Sequence, residues 1–147
     1  MTVHLIKLCV GVDTPRELAE WQARRLKRLA QAGKTPEHCH RTLQTPRRRG
    51  DILDGGSLYW VIKGFVLVRQ RVLDLRDDVK DDGTRCCGIV LDTELVPTRP
   101  HPRRAFQGWR YLEAADAPPD AKGFDDEAGA MPRAMREELR ALRLIDW

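Results

Sequence analysis

The 147-residue sequence has no asparagine, and Ser57 is its only serine. Ser57 stands in GGSLYW, which is not the G-x-S-x-G nucleophile elbow, so we expect it to start a strand rather than to act as a nucleophile. No apolar run approaches the roughly 18 residues of a membrane span. The apolar stretch near the amino terminus is too short for a signal peptide and is interrupted by Lys7. These absences predict a cytoplasmic protein with no membrane segment.

Sequence patterns that hold phosphates or metals are also missing. The Gly55-Gly56 pair lacks the Lys-Ser/Thr of a P-loop, and the four cysteines include no C-x-x-C pair. We therefore expect free thiols and no cofactor. A metal site stays open as an alternative, because His38 and His40 would point to one face of an extended segment. The side chains that could complete such a site are Cys39, Cys86, Cys87 and His101.

Arginine is abundant and unevenly placed. The chain carries 26 Lys and Arg against 22 Asp and Glu, a net charge of only +4, and 20 of the 26 basic residues are arginine. Two clusters contain four arginines each and no acidic residue, whereas residues 113–127 carry a net charge of −5. Guanidinium groups hold phosphates well, so the clusters predict contact with a polyanion. The clusters are Arg41, Arg47, Arg48 and Arg49, then Arg99, Arg103, Arg104 and Arg110.

Aromatic residues make up only 6% of the chain, but three of them lie close to these clusters. Tyr59 and Trp60 follow the first cluster, and Trp109 adjoins Arg110. Aromatic faces stack unpaired bases at roughly 1–3 kcal/mol each, so the combination predicts a reader of single-stranded RNA or of a flipped base. The residues predicted to bind nucleic acid are Arg41, Arg47, Arg48, Arg49, Tyr59, Trp60, Lys63, Arg69, Arg71, Arg103, Arg104, Trp109 and Arg110.

The first third of the chain predicts a strand followed by a helix. Residues 3–10 are apolar on both faces, which is typical of a central strand. Thr14, Pro15 and Glu17 predict a capped helix start, and Gly33 predicts its end. The apolar face of this helix is expected to consist of Leu18, Trp21, Leu26 and Leu29.

Closely spaced strands are predicted to follow this helix. A helical turn is expected between Thr45-Pro46 and Gly55-Gly56, and a tight hairpin turn at Lys63-Gly64. A polar turn is expected at residues 77–83. Because the strands do not alternate with helices, we expect an α+β domain with a small, mostly antiparallel β-barrel or curved sheet. The strands are predicted at 38–45, 57–64, 65–75, 85–92 and 93–99, with one more strand or turn at 105–112.

The last part of the sequence predicts a loop and a helix. Residues 113–130 are acidic and contain two adjacent prolines, which favours an exposed loop. Residues 132–145 predict a C-terminal helix that packs against the core. At this length, with no internal repeat, we expect residues 1–147 to form a single domain.

Several long motifs connect the chain to a protein family. The segments HLIKLCVG, ILDGGSLYWVIKG, VLVRQRVLDL and LVPTRPHPRRAFQGWRYL resemble the alphaproteobacterial family known as domain of unknown function 1489. The resemblance runs over roughly residues 2–120. It implies a family membership but no particular activity.

A more distant likeness concerns the order of the elements. A first strand, a capped helix and an arginine-rich segment lead to R-R-G-D at residues 48–51, followed by strands containing V-L-D-L and L-V-P-T-R-P. This course is similar to the PUA-like superfamily, especially its EVE and ASCH branches. The resemblance implies a pseudobarrel that binds RNA or modified bases. The G-x-K-x-x-E-x-R pattern of ASCH proteins is absent, so no base-pocket residue is assigned from the likeness.

Three functions are compatible with the sequence. We favour a non-catalytic protein that binds RNA or a modified nucleotide. The first alternative is an enzyme acting on a nucleotide or RNA with a metal, motivated by His38, Cys39, His40 and His101. The second alternative is a protein-interaction module, in which the acidic segment 113–127 pairs with the basic clusters of another chain.

Overall fold

A computed structural model describes residues 1–122 of the chain. The predicted C-terminal helix at 132–145 and the end of the predicted acidic loop at 113–130 lie outside these residues. The helices within this range are α1 (Pro15–Gln31), α2 (Arg49–Leu53) and a 3-10 turn (Ala114–Asp116). The strands are β1 (Val3–Leu8), β2 (His38–Thr42), β3 (Ser57–Ile62), β4 (Phe65–Val79), β5 (Arg85–Leu91), β6 (Val96–Pro102) and β7 (Trp109–Glu113).

The seven strands of residues 1–122 belong to one open sheet with the order β2-β5-β4-β3-β1-β7, and β6 pairs with the start of β4. The β1–β3 pair is parallel and the other pairs are antiparallel. The prediction of a mostly antiparallel α+β protein is therefore confirmed. The prediction of a central first strand is confirmed as well, since β1 lies between β3 and β7.

The β3–β4 hairpin turns at Lys63 and Gly64, as predicted. Both residues have positive φ, 49° and 84°, which is the conformation of a two-residue type I′ turn. The polar turn predicted at 77–83 begins later than predicted, because β4 continues to Val79. The turn itself lies between Lys80 and Thr84, where Gly83 N donates to Lys80 O at 2.9 Å. Asp77 and Asp78 pair in register with β5, and this cross-strand pairing holds polar residues in a strand.

Strand β6 begins three residues later than predicted and contains three prolines, Pro97, Pro100 and Pro102. Proline has no N–H to donate to a ladder, so it is confined to edge strands. Strand β6 pairs only with β4 among the named strands. Its outer side is covered by residues 119–121, where Arg99 N donates to Pro119 O at 2.9 Å.

Helix α1 has the predicted ends. The Thr14 hydroxyl accepts a hydrogen bond from Glu17 N at 3.0 Å, which satisfies one of the free N–H groups of the first turn. At the other end Gly33 has a φ of 71°, and Lys34 N donates to Leu29 O at 2.9 Å. This is the Schellman arrangement that ends a helix at glycine.

The sheet carries apolar clusters on its two faces. Leu18 of α1 packs with Leu58 and Trp60 in the larger cluster, and Phe106 packs against the smaller one. Trp21 lies on the predicted face of α1, since it borders the same cavity as Leu18, but it is 41% exposed and not part of the buried cluster. Gln22 is buried on this face as well, at 6% exposed, although it is polar. No helix within residues 1–122 is long and apolar enough to cross a membrane.

Candidate nucleic-acid interface

The first arginine cluster is largely neutralised by carboxylates of β4. Arg41 Nε lies 2.9 Å from Asp78 Oδ2, and Arg49 Nη2 lies 2.9 Å from Asp74 Oδ1. Arg49 also donates to the backbone oxygen of Leu75. The hydrogen bond from Arg49 is the main cause that lowers the pKa of Asp74. The pKa of Asp78 is lowered first by the backbone N–H of Val79 and then by Arg41. The two arginines are thus occupied within the fold.

Arg48 is held between two elements. Its guanidinium lies 3.1 Å from Asp51 of α2 and 2.8 Å from Glu113 at the end of β7. The backbone N–H groups of Arg47 and Arg48 donate to the Tyr111 hydroxyl at 2.9 and 3.2 Å. Arg47 is the member of this cluster whose side chain forms no ion pair with residues 1–122.

The two arginines of β4 differ from each other. Arg69 forms two bonds of 2.8 Å to the two oxygens of Asp120, and its side chain is only 24% exposed. This bidentate pair attaches the start of the acidic segment to the sheet. Arg71 is exposed and has no carboxylate partner in the described part of the chain.

The second arginine cluster differs from the first, because its arginines form no ion pairs with the described residues. None of its four guanidinium groups lies within 4.0 Å of a carboxylate of residues 1–122. Arg103 and Arg110 both lie over the Phe106 ring, with their Cζ atoms 5.8 and 5.4 Å from its centroid. Arg104 is exposed beside them. We call residues 103–110 the basic loop: residues 103–108 join β6 to β7, and Trp109 and Arg110 are the first two residues of β7.

The basic loop lies beside the β3–β4 hairpin. Arg103 N donates to Gly64 O at 2.8 Å, and the neighbouring Lys63 is exposed. Lys63 Nζ lies 3.8 Å from Asp13, a solvent-exposed pair that contributes little to stability. The loop and the hairpin therefore place Lys63 close to the unpaired arginines.

The three aromatic residues predicted to stack a base are buried. Tyr59 and Trp60 are each 4% exposed and Trp109 is 9% exposed. Trp60 Nε1 donates to Gln70 Oε1 and Trp109 Nε1 donates to Gln44 O, both at 2.8 Å. These rings are held in the interior, so the aromatic side chain next to the arginines is Phe106. The sequence signal for Phe106 was its position between Arg104 and Arg110.

A cavity of about 280 Å³ opens between α1, β2 and the end of β1. Its floor includes the buried side chains of Leu18, Trp60 and Leu91. His38 and His40 both line it, together with Cys39 between them. The two histidines share one face of β2 as predicted, because β2 pairs with β5 without a register shift and alternate residues of a strand point the same way. The sequence did not point to this cavity, because its walls come from segments that are far apart along the chain.

His40 has an unusual environment in this cavity. Its Nε2 is buried and has no hydrogen-bond partner in residues 1–122, and its ring meets Trp60 edge-on at 5.2 Å. Burial, together with the positive charges of Lys7 and Arg25, lowers the pKa of His40 to about 4. The imidazole is therefore neutral at pH 7.

The metal alternative finds no matching geometry in the described residues. No group of three His, Cys, Asp or Glu side chains within residues 1–122 could hold a metal ion. His101 lies on β6 and is exposed, whereas Cys86 and Cys87 are buried in β5. The four cysteines are free thiols, as predicted.

The fold and these sites define a small α+β protein with an unpaired basic loop and a separate cationic cavity. Residues 5–145 match the family described as Protein of unknown function (DUF1489), and the chain belongs to this family. The long motifs of the sequence predicted this membership. No curated protein and no solved structure matches the chain.

Proposed function

We propose that this protein binds single-stranded RNA without converting it chemically, and that the basic loop is the main contact. The observation that supports the proposal is the unpaired state of the loop. Arg103 and Arg110 stack on Phe106 and have no carboxylate partner within residues 1–122. Arginines that are positioned but not neutralised can bind phosphates with little loss of side-chain freedom.

The stacking on Phe106 prepares both guanidinium groups. A cation over an aromatic ring gains roughly 0.5–1 kcal/mol at an exposed site. In Arg110 the Nη1 group donates to the backbone oxygens of Gln107 at 3.1 Å and Trp109 at 3.3 Å, which further fixes this side chain. The other N–H groups of Arg110 and those of Arg103 can donate to phosphate oxygens. Phe106 is also half-buried, so an unpaired base could stack on its remaining surface.

The neutralised arginines have a smaller role in this proposal. Arg41, Arg48, Arg49 and Arg69 already have carboxylate partners, so phosphate contact would require them to exchange one anion for another. The predicted binding residues that remain available are Arg47, Lys63, Arg71, Arg103, Arg104 and Arg110. Tyr59 belongs to the buried cluster against which Phe106 packs, whereas Trp60 and Trp109 belong to the larger cluster on the other face of the sheet.

The PUA-like likeness belongs to the same proposal. A pseudobarrel requires the two edges of the sheet to approach each other. Trp109 and Tyr111 of edge strand β7 hydrogen-bond to the backbone at Gln44, Arg47 and Arg48, just after edge strand β2. These contacts join the edges without strand pairing, which favours a partly closed barrel. Domains of that superfamily bind RNA or modified bases.

The proposal is tested by titrating the full chain with a labelled single-stranded RNA of 12 nucleotides between 50 and 200 mM salt. For a single strand, each phosphate contact contributes roughly −0.7 to the slope of log K against log salt. Three or four contacts therefore give a slope of about −2 to −3. A slope near zero, or no binding at 50 mM salt, would overturn the proposal. Equal affinity for duplex DNA of the same length would overturn the preference for single strands.

A further inference from the structure

The cavity between α1, β1 and β2 has the features of a second binding site. We propose that it binds a small organic anion, with an apolar body inside and an acidic group between Lys7 and Arg25. The inference goes beyond the proposed function, because the cavity is separate from the basic loop. Both cations line the cavity together with the side chains of its apolar floor.

The charged residues of the described range that line the cavity are both basic, Lys7 and Arg25. Neither Lys7 nor Arg25 forms an ion pair with a carboxylate of residues 1–122, and no Asp or Glu of this range lines the cavity. The nearby Cys9 thiol is partly buried, and this burial raises its pKa to about 12, so it stays uncharged at pH 7. Two positive charges therefore face a space with apolar walls and no resident anion from the described residues.

The floor of the cavity is fixed in place. Gln70 accepts hydrogen bonds from Trp60 Nε1 at 2.8 Å and from Gln22 Nε2 at 2.9 Å. Gln70 Nε2 in turn donates to Gln22 Oε1 and to Asp92 O, both at 3.0 Å. Because these polar groups satisfy one another, they do not need a ligand. The side chain left without a partner is His40, whose Nε2 can accept or donate one hydrogen bond from the neutral ring.

The size of the cavity restricts the ligand. Sites for drug-sized molecules run from roughly 300 to 1,000 Å³, so about 280 Å³ suits a single ring system with one acidic group. A nucleoside monophosphate, in which a ribose joins the base to the phosphate, and an aromatic carboxylate, in which the acidic group is attached to the ring, both combine a planar ring with an acidic group. The first would connect the cavity with RNA or its breakdown products, and the second would make it an independent small-molecule site.

Isothermal titration of the full chain with AMP, UMP, indole-3-carboxylate and inorganic phosphate tests the inference. We expect at least one organic anion to bind with one-to-one stoichiometry and at least tenfold more tightly than phosphate. Lys7→Met and Arg25→Met should each weaken it by about tenfold or more, since a charge-assisted hydrogen bond is lost. Lys34→Met is the matched control, because Lys34 is an exposed lysine after α1 that does not line the cavity.

Each result of this titration either supports or overturns the inference. Nucleotide binding that needs Lys7 and Arg25 supports the site, and so does binding of the aromatic carboxylate alone. The inference is overturned if no organic anion exceeds phosphate, or if Lys34→Met weakens binding as much as Lys7→Met. A shift of the His40 imidazole resonances on ligand addition is a second readout that does not depend on a variant. RNA titrations with basic-loop variants leave the cavity unchanged, so the two proposals can fail separately.

Discussion

The side chains of Gln22 and Gln70 donate to and accept from each other inside the protein. Gln22 Nε2 donates to Gln70 Oε1 at 2.9 Å, and Gln70 Nε2 donates to Gln22 Oε1 at 3.0 Å. The pair joins α1 to β4 across the core. Trp60 Nε1 donates to the same oxygen of Gln70, so the position of the indole in the cavity floor depends on this amide.

Replacing Gln70 by leucine should destabilise the protein strongly. The variant Gln70→Leu leaves the Gln22 amide and the Trp60 N–H unpaired in the interior, and we expect a loss of about 2–4 kcal/mol in the free energy of unfolding. The double variant Gln22→Leu/Gln70→Leu should lose less than the sum of the two single variants, because both partners are removed together. Urea unfolding measures all three, with exposed Gln107→Leu as control. Strict additivity would contradict the account.

Protonation of His40 should oppose folding in mild acid. Its pKa is about 4 in the folded protein, against 6.5 for an ordinary histidine. Between these values the unfolded chain binds a proton that the folded chain does not, so stability falls as the pH falls from 6.5 to 4, by at most about 3–4 kcal/mol. The lowered pKa values of His4 and His38 act in the same direction.

The variant His40→Phe separates this contribution from the other histidines. It keeps a ring beside Trp60 but cannot titrate, so its stability should depend less on pH between 6.5 and 4. Urea unfolding at pH 7, 6, 5 and 4.5 makes the comparison. Identical pH profiles for the variant and the unchanged protein would show that His40 is not the group responsible.

The first turn of α1 should depend on the Thr14 hydroxyl. The variant Thr14→Ala removes the acceptor for Glu17 N, and losing a cap of this kind costs about 1 kcal/mol. Thr14→Ser keeps the oxygen and should be close to neutral. Thermal or urea unfolding compares both with Thr35→Ala, an exposed position after the helix. A Thr14→Ser variant as unstable as Thr14→Ala would contradict the role of the hydroxyl.

Gly88 should be needed because of Cys39. A Cβ at Gly88 would lie 2.8 Å from Cys39 Sγ, closer than real Cβ contacts allow. We expect Gly88→Ala to cost about 1–3 kcal/mol, the usual range for an overpacked interior. The double variant Cys39→Ala/Gly88→Ala should regain part of this stability, because the sulfur is gone. If the second substitution gives no recovery in urea unfolding, the contact is not the cause.

Features set by neighbouring residues were predictable from the sequence. The Lys63-Gly64 turn and the Thr14 cap depend on a few adjacent positions, and both are present. The inward side of α1 was not predictable from its apolar residues. Gln22 is buried because it hydrogen-bonds to Gln70, while Trp21 is more exposed. Gln70 lies 48 residues further along the chain, so neighbouring residues gave no sign of this pair.

The charge pattern shows the same limit. In the sequence the two arginine clusters look equivalent, since neither contains an acidic residue. The fold brings Asp78 to Arg41 across 37 residues and Asp74 to Arg49 across 25. The basic loop gains no such partner within residues 1–122. Local composition therefore located the clusters, and only the fold, through β4 for Arg41 and Arg49 and through Asp51 and Glu113 for Arg48, distinguished the neutralised cluster from the other one.

The central claim is that RNA binds at the basic loop and not at the neutralised cluster. It is tested most directly by the salt dependence of RNA affinity in two double variants that remove the same charge, Arg103→Gln/Arg104→Gln and Arg41→Gln/Arg49→Gln. Loss of two phosphate contacts should reduce the slope of log K against log salt by about 1.4 for the first pair. The second pair should leave the slope near that of the unchanged protein. Equal reductions in both variants, or a reduction only in the second, would contradict the account.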